Sequence, residues 1–118
     1  MSEYTTIPVT IAVDDATGLS AAVNIGELKP LAIIMSAAWT AAAITMKSSM
    51  DGVTYHDVYI KGTEYSLTVG VDRHVLLDPS ELEGVGPYIK LRSGTAATPV
   101  TQVTGDDRVL TIVARKVG

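Results

Sequence analysis

Between Ile44 and Tyr59 two alternating runs meet at the pair Asp51-Gly52, and that pattern constrains the fold more than any other feature of the chain. Asp-Gly suits a tight type I′ turn, whose two central residues both need positive φ. Ile44, Met46 and Ser48 share one face of the first run, and His56, Val58 and Ile60 share one face of the second. The expected unit is a half-buried antiparallel ribbon with a two-residue turn at Asp51-Gly52.

The rest of the chain repeats this pattern. Ile7, Val9, Ile11 and Val13 form a one-faced row, and Pro8, which cannot donate to a ladder, assigns that strand to a sheet edge. Short strands are expected over 20–25, 65–69, 73–77, 88–92 and 109–115, separated by Gly, Pro and Asp turns such as Lys61-Gly62. The wholly apolar run Leu31-Ala-Ile-Ile-Met35 reads as a strand covered on both faces. Asp78-Pro79-Ser80-Glu81 reads as an N-cap followed by proline at the first position of one helical turn. Ser36 to Ala43 is too short for a stable helix and reads as a loop. Eight or nine short strands at this spacing predict an all-β chain, an antiparallel β-sandwich of jelly-roll-like or immunoglobulin-like type. Its 118 residues make a single domain, with residues 1–6 as a candidate N-terminal arm.

Composition narrows the function. Hydrophobic residues make up 47% of the chain, yet aromatics are 5% and Phe is absent, which suits flat aliphatic packing better than an aromatic ligand pocket. Net charge is −4 and the nine basic residues are scattered, so nucleic acid is not the expected partner. No run is long and apolar enough to span a bilayer as a helix, so no membrane partner is expected either. The opening Met-Ser-Glu-Tyr-Thr-Thr lacks the basic and apolar regions of a secretory signal, and cysteine is absent; synthesis in the cytoplasm is the expectation.

Candidate chemistry is sparse. His56 and His74 are the two groups suited to proton transfer near neutral pH, but no Gly-x-Ser-x-Gly elbow accompanies them and no third ligand stands at metal spacing. Asp14-Asp15 and Asp106-Asp107 lack the pattern of a calcium loop. Ser49-Met-Asp-Gly-Val-Thr-Tyr55 is similar to the Asp-box hairpin of sialidase-type propellers, one residue short and present once, and implies local turn stabilisation by Asp51. The expectations are no enzyme, no catalytic residue, no metal and no cofactor. Trp39 with Tyr55 and Tyr59 is the one aromatic set that could face a sugar, which gives a carbohydrate-binding module as a rival function.

Six segments in order carry a wider resemblance: Ala22-Val-Asn-Ile-Gly26, Ala37-Ala-Trp-Thr-Ala-Ala42, Ser49 to Tyr55, Val75-Leu-Leu-Asp-Pro79, Tyr88-Ile-Lys-Leu-Arg-Ser-Gly94 and Pro99-Val-Thr-Gln102. Taken together they resemble a family of small structural proteins of tailed-phage and prophage virions. The resemblance implies a β-sandwich capsid decoration (cement) protein, with a head-fibre, connector or tail component as the alternative. It further implies location in the virion and the major capsid protein or other virion proteins as partners. Homo-oligomerisation is expected, with a trimer favoured by cyclic closure. The candidate partner contacts are Tyr4, Ile7 and Val9 on the edge strand, where strand addition would supply main-chain bonds, and Trp39.

Overall fold

The alternation along Ile7, Val9 and Ile11 turns these side chains inward and leaves Tyr4, Thr6, Pro8 and Thr10 exposed. That division is the basis of the architecture in the computed structural model, which describes residues 4–116. Ten strands lie among them. They are β1 (Tyr4–Ile11), β2 (Val23–Asn24), β3 (Leu28–Ile34), β4 (Ile44–Ser49) and β5 (His56–Asp57). There follow β6 (Tyr59–Ile60), β7 (Thr63–Glu64), β8 (His74–Leu76), β9 (Tyr88–Ser93) and β10 (Arg108–Lys116). The chain is all-β, and every ladder is antiparallel.

Two four-stranded sheets, β1-β10-β3-β8 (sheet A) and β2-β9-β4-β5 (sheet B), pack through one aliphatic core. Sheet A supplies Val9, Ile11, Ile33, Leu110 and Ile112; sheet B supplies Ile44, Met46, Ile89 and Leu91. Their inward rows follow from register: Ile7 opposes Ile112, which opposes Ile33, which opposes Val75. Burying a side chain of this size stabilises the fold by about 1.5–3 kcal/mol.

The turn chemistry departs from expectation in an instructive way. β4 and β5 pair as Lys47 with Asp57 and Ser48 with His56, so the loop between them runs over six residues and is not a two-residue turn. Gly52 has φ of 81°, but Asp51 is not in the left-handed region, so the expected type I′ geometry at Asp51-Gly52 is not formed. The Asp51 carboxylate organises the loop instead, accepting from the Val53 and Thr54 N–H groups and the Ser49 hydroxyl at 2.8–2.9 Å. The two-residue turn with both φ positive lies further on. Lys61 (51°) and Gly62 (86°) join β6 to β7, with Ile60 opposite Thr63.

Three other expectations shift. The strand expected to run unbroken to Ile60 divides at Val58, whose N–H still bonds the Met46 carbonyl. The chain then departs as the β6–β7 ribbon and returns to exchange both backbone bonds between Leu67 and Ile44, so 65–69 makes a bridge and not a strand. The expected cap is formed: Asp78 caps a 3-10 turn, Pro79–Leu82, which drives Leu82 into the core. The run Leu31–Met35 is not covered on both faces: Ile33 and Met35 are buried, whereas Ile34 faces outward and is exposed.

Candidate functional site

Sheet A has an outer face, and its composition is unlike that of an ordinary solvated sheet. Reading across the register, Thr6, Val113, Ala32 and Leu76 form one outward row, and Pro8, Thr111, Ile34 and His74 form the next. Tyr4, Leu76 and Val109 are 66%, 77% and 51% exposed. The four strands that make this face, β1, β10, β3 and β8, carry no aspartate or glutamate; Lys29 and Arg115 oppose each other at one margin. A bulge between Val113 and Ala114 displaces Leu31 from the ladder. Beside it Tyr4, Leu31, Ala32, His74, Leu76 and Val113 line a shallow apolar groove of about 380 Å³. Apolar patches of this kind mark interaction surfaces.

β1 borders this face as the edge strand of sheet A. Its eight residues, Tyr-Thr-Thr-Ile-Pro-Val-Thr-Ile, carry no charge. A bridge from Ile11 to Ser20 closes the end of the edge, and Pro8 removes one donor. These are mild protections compared with the charged residues and bulges that usually guard an edge.

The four candidate contacts are placed differently. Tyr4 is exposed on the outer face and lines the groove. Val9 is buried and Ile7 half-buried, both facing the core, so what they offer a partner is main chain. The half-buried Trp39 packs against the core, and its indole N–H donates to the Ala42 carbonyl at 3.1 Å. The candidate arm joins its own sheet from residue 4 onward, with Tyr4, Thr5 and Thr6 opposite Arg115, Ala114 and Val113; residues 1–3 lie outside the described residues.

The aromatic set suggested for sugars is dispersed. Lys90 Nζ sits 4.5 Å above the Tyr55 ring, while exposed Tyr59 lines a separate groove of about 330 Å³ with Ser48, His56, Asp57 and Glu81. Neither Trp39 nor Tyr55 lines that groove. His56 and His74 are both exposed, on different sheets. The loop acids are held in local structure: Asp107 accepts from the Val13 N–H, and Asp15 accepts from the hydroxyl and then the backbone N–H of Thr17, which lower its pKa. Among the described residues no three His, Asp or Glu side chains converge as a metal site would need.

Sequence reasoning passed over two buried arginines. Arg92, 3% exposed on the outer side of sheet B, donates to Asp57, Glu64 and the Thr45 hydroxyl at 2.9–3.0 Å. It thereby fastens the β6–β7 ribbon to the sheet. Burial pushes the Asp57 carboxyl up, but the hydrogen bond and charge of Arg92, joined by Lys47, outweigh it and hold the pKa below the ordinary value. Arg108 donates to the Gln102 side chain and to the carbonyls of Val103, Thr104 and Asp106, stiffening the loop before β10. Arg92 makes three hydrogen bonds and Arg108 four, and both hold the fold together.

Compared with family models, with curated proteins and with solved structures, the chain matches none.

Proposed function

We propose that this chain is a structural subunit of a phage virion, a capsid decoration protein that binds and stabilises the head shell. The observation that carries the reading is the open face of sheet A: largely apolar, built from strands without a carboxylate, and bordered by an uncharged edge strand. A surface of that kind favours being covered. The segmental resemblance to virion proteins supplies the setting, in which many identical weak contacts on a lattice add up to firm attachment. The major capsid protein is the partner this reading names, with β1 available for strand addition. Mass spectrometry of particles purified from cells that carry the gene tests it. Recovery in many copies per particle is expected; a handful of copies moves the reading to a connector, tail or fibre component, and absence from particles refutes it.

A further inference from the structure

We infer that Asp51-Gly52 is a guarded modification site, at which the Ser49 hydroxyl holds back the conversion of Asp51 to isoaspartate. The inference rests on the geometry of the loop between β4 and β5 and not on the virion reading.

An aspartate followed by glycine is open to this reaction because glycine has no side chain to shield its nitrogen. The Gly52 nitrogen attacks Asp51 Cγ, a new N–C bond forms, and a Cγ–O bond breaks. The departing oxygen leaves as water, carrying the proton of the nitrogen and that of the protonated carboxyl. Water then opens the resulting succinimide. Addition at Cγ restores aspartate, whereas addition at the Asp51 main-chain carbonyl breaks its bond to the Gly52 nitrogen and leaves isoaspartate. One water departs and one enters, so the mass is unchanged and no further reactant is needed.

The folded loop opposes each part of that sequence. The nucleophile is engaged, since the Gly52 N–H donates to Ser49 Oγ at 2.8 Å. Ser49 is fixed in turn: it is 2% exposed and pairs with Tyr88 at the end of β4. The electrophile is engaged as well, with Asp51 Oδ1 accepting from the Val53 and Thr54 N–H groups and from the Ser49 hydroxyl at 2.8–2.9 Å. These bonds, that of Thr54 foremost, hold the Asp51 carboxyl down to about 2. The protonated form that can lose water is thereby scarcer at neutral pH by about one to two orders of magnitude. Room is short too. The Tyr88 ring backs Gly52, where an added Cβ would stand 3.3 Å from it, and so obstructs the backbone rotation that ring closure requires.

Ser49 is the joint of this arrangement, because its one hydroxyl engages nucleophile and electrophile together. Conversion would lengthen the main chain by one carbon and release the loop from its cage. Met50 and His56 line the groove of about 330 Å³ beside the loop, so the groove would change shape with it.

Ageing of the full chain at neutral pH tests the inference, with isoaspartate read by enzymatic methylation and located by electron-transfer fragmentation. The references are the same chain unfolded in urea and the variant Ser49→Ala, its fold checked by circular dichroism. Folded wild type should form isoaspartate at residue 51 about tenfold or more slowly than the unfolded chain. Folded Ser49→Ala should form it several-fold faster than folded wild type. Equal rates in folded and unfolded wild type, or a folded Ser49→Ala no faster than wild type, would overturn the inference. Should Ser49→Ala fail to fold, hydrogen exchange at the wild-type Gly52 amide decides. Protection relative to the unfolded chain supports the guard, and exchange at the unfolded rate overturns it.

Discussion

Glu64→Ala should loosen the β6–β7 ribbon and cost the domain about 3 kcal/mol. The Glu64 carboxylate accepts from Arg92 Nη2 and from the Ala96 N–H, both at 2.9 Å. A hydrogen bond to a charged partner is worth about 1.5–3 kcal/mol, and the orphaned Ala96 N–H adds about 1 kcal/mol more. The Glu64 side chain is 18% exposed and that of Arg92 is 4% exposed. Water can therefore rehydrate little of the arginine, which keeps the loss toward the upper part of that range. Arg92→Met should cost less, about 2 kcal/mol, because methionine fills the stem and the two carboxylates left behind can reach solvent. If the pair acts as a unit, Glu64→Ala made in the Arg92→Met background should cost only about the 1 kcal/mol lost at the Ala96 N–H, a coupling of about 1.5–3 kcal/mol. Urea unfolding at 25 °C reads all of these. With a slope of about 1–1.5 kcal/mol per molar, Glu64→Ala moves the midpoint down by about 2–3 M. A Glu64→Ala midpoint within about 0.3 M of wild type, or strictly additive effects in the double variant, would show that the ribbon is not held this way.

Tyr65 is buried and its hydroxyl has no hydrogen-bond partner among the described residues, so Tyr65→Phe should stabilise the domain by about 1 kcal/mol; a loss of stability would reveal a partner for the hydroxyl. Burial, then the charges of Glu81 and Asp78, push the Tyr65 pKa up to about 12. Since the folded value exceeds the unfolded one, this contribution is whole below about 10 and disappears as pH rises through the folded value, which ultraviolet titration should show as one late phenol. The Asp51 carboxyl, held by the Thr54 and Val53 N–H groups and the Ser49 hydroxyl, should titrate at about 2 in a carbon-detected NMR experiment; an ordinary aspartate value would mean that the cage is open. Asp57 likewise has a lowered folded value, so its contribution is present above the unfolded pKa and lost as pH falls through the folded one. Arg92→Met should flatten that acid limb of the urea midpoint. At Gly86 an added Cβ would meet the Ser49 carbonyl oxygen at 2.2 Å, so Gly86→Ala should cost about 2–3 kcal/mol by forcing the loop off the end of β4, measurable by the same unfolding assay.

Period-two patterning made the strands and the inward rows legible, because alternation along Ile7, Val9 and Ile11 or Tyr88 to Arg92 reports which side faces a core. Local chemistry was legible at Asp78-Pro79, where cap and ring act within one turn. Asp51-Gly52 misled because the same carboxylate that tolerates a tight turn can also collect N–H donors and stabilise a longer loop. Division of the strand at Val58 was invisible for a non-local reason: it depends on Arg92 drawing Asp57 and Glu64 together from different strands. The candidate surface was half legible. The run Leu31–Met35 announced an apolar face, but which side the chain itself would cover depends on strand order.

Electron cryomicroscopy of particles from cells that carry this gene would show whether this chain sits on the head shell. At secondary-structure resolution, many symmetric copies of this sandwich are expected on the head shell, with the outer face of sheet A covered by another subunit. Particles whose shells lack the sandwich, or sandwiches on the shell with that face open to solvent, would contradict it.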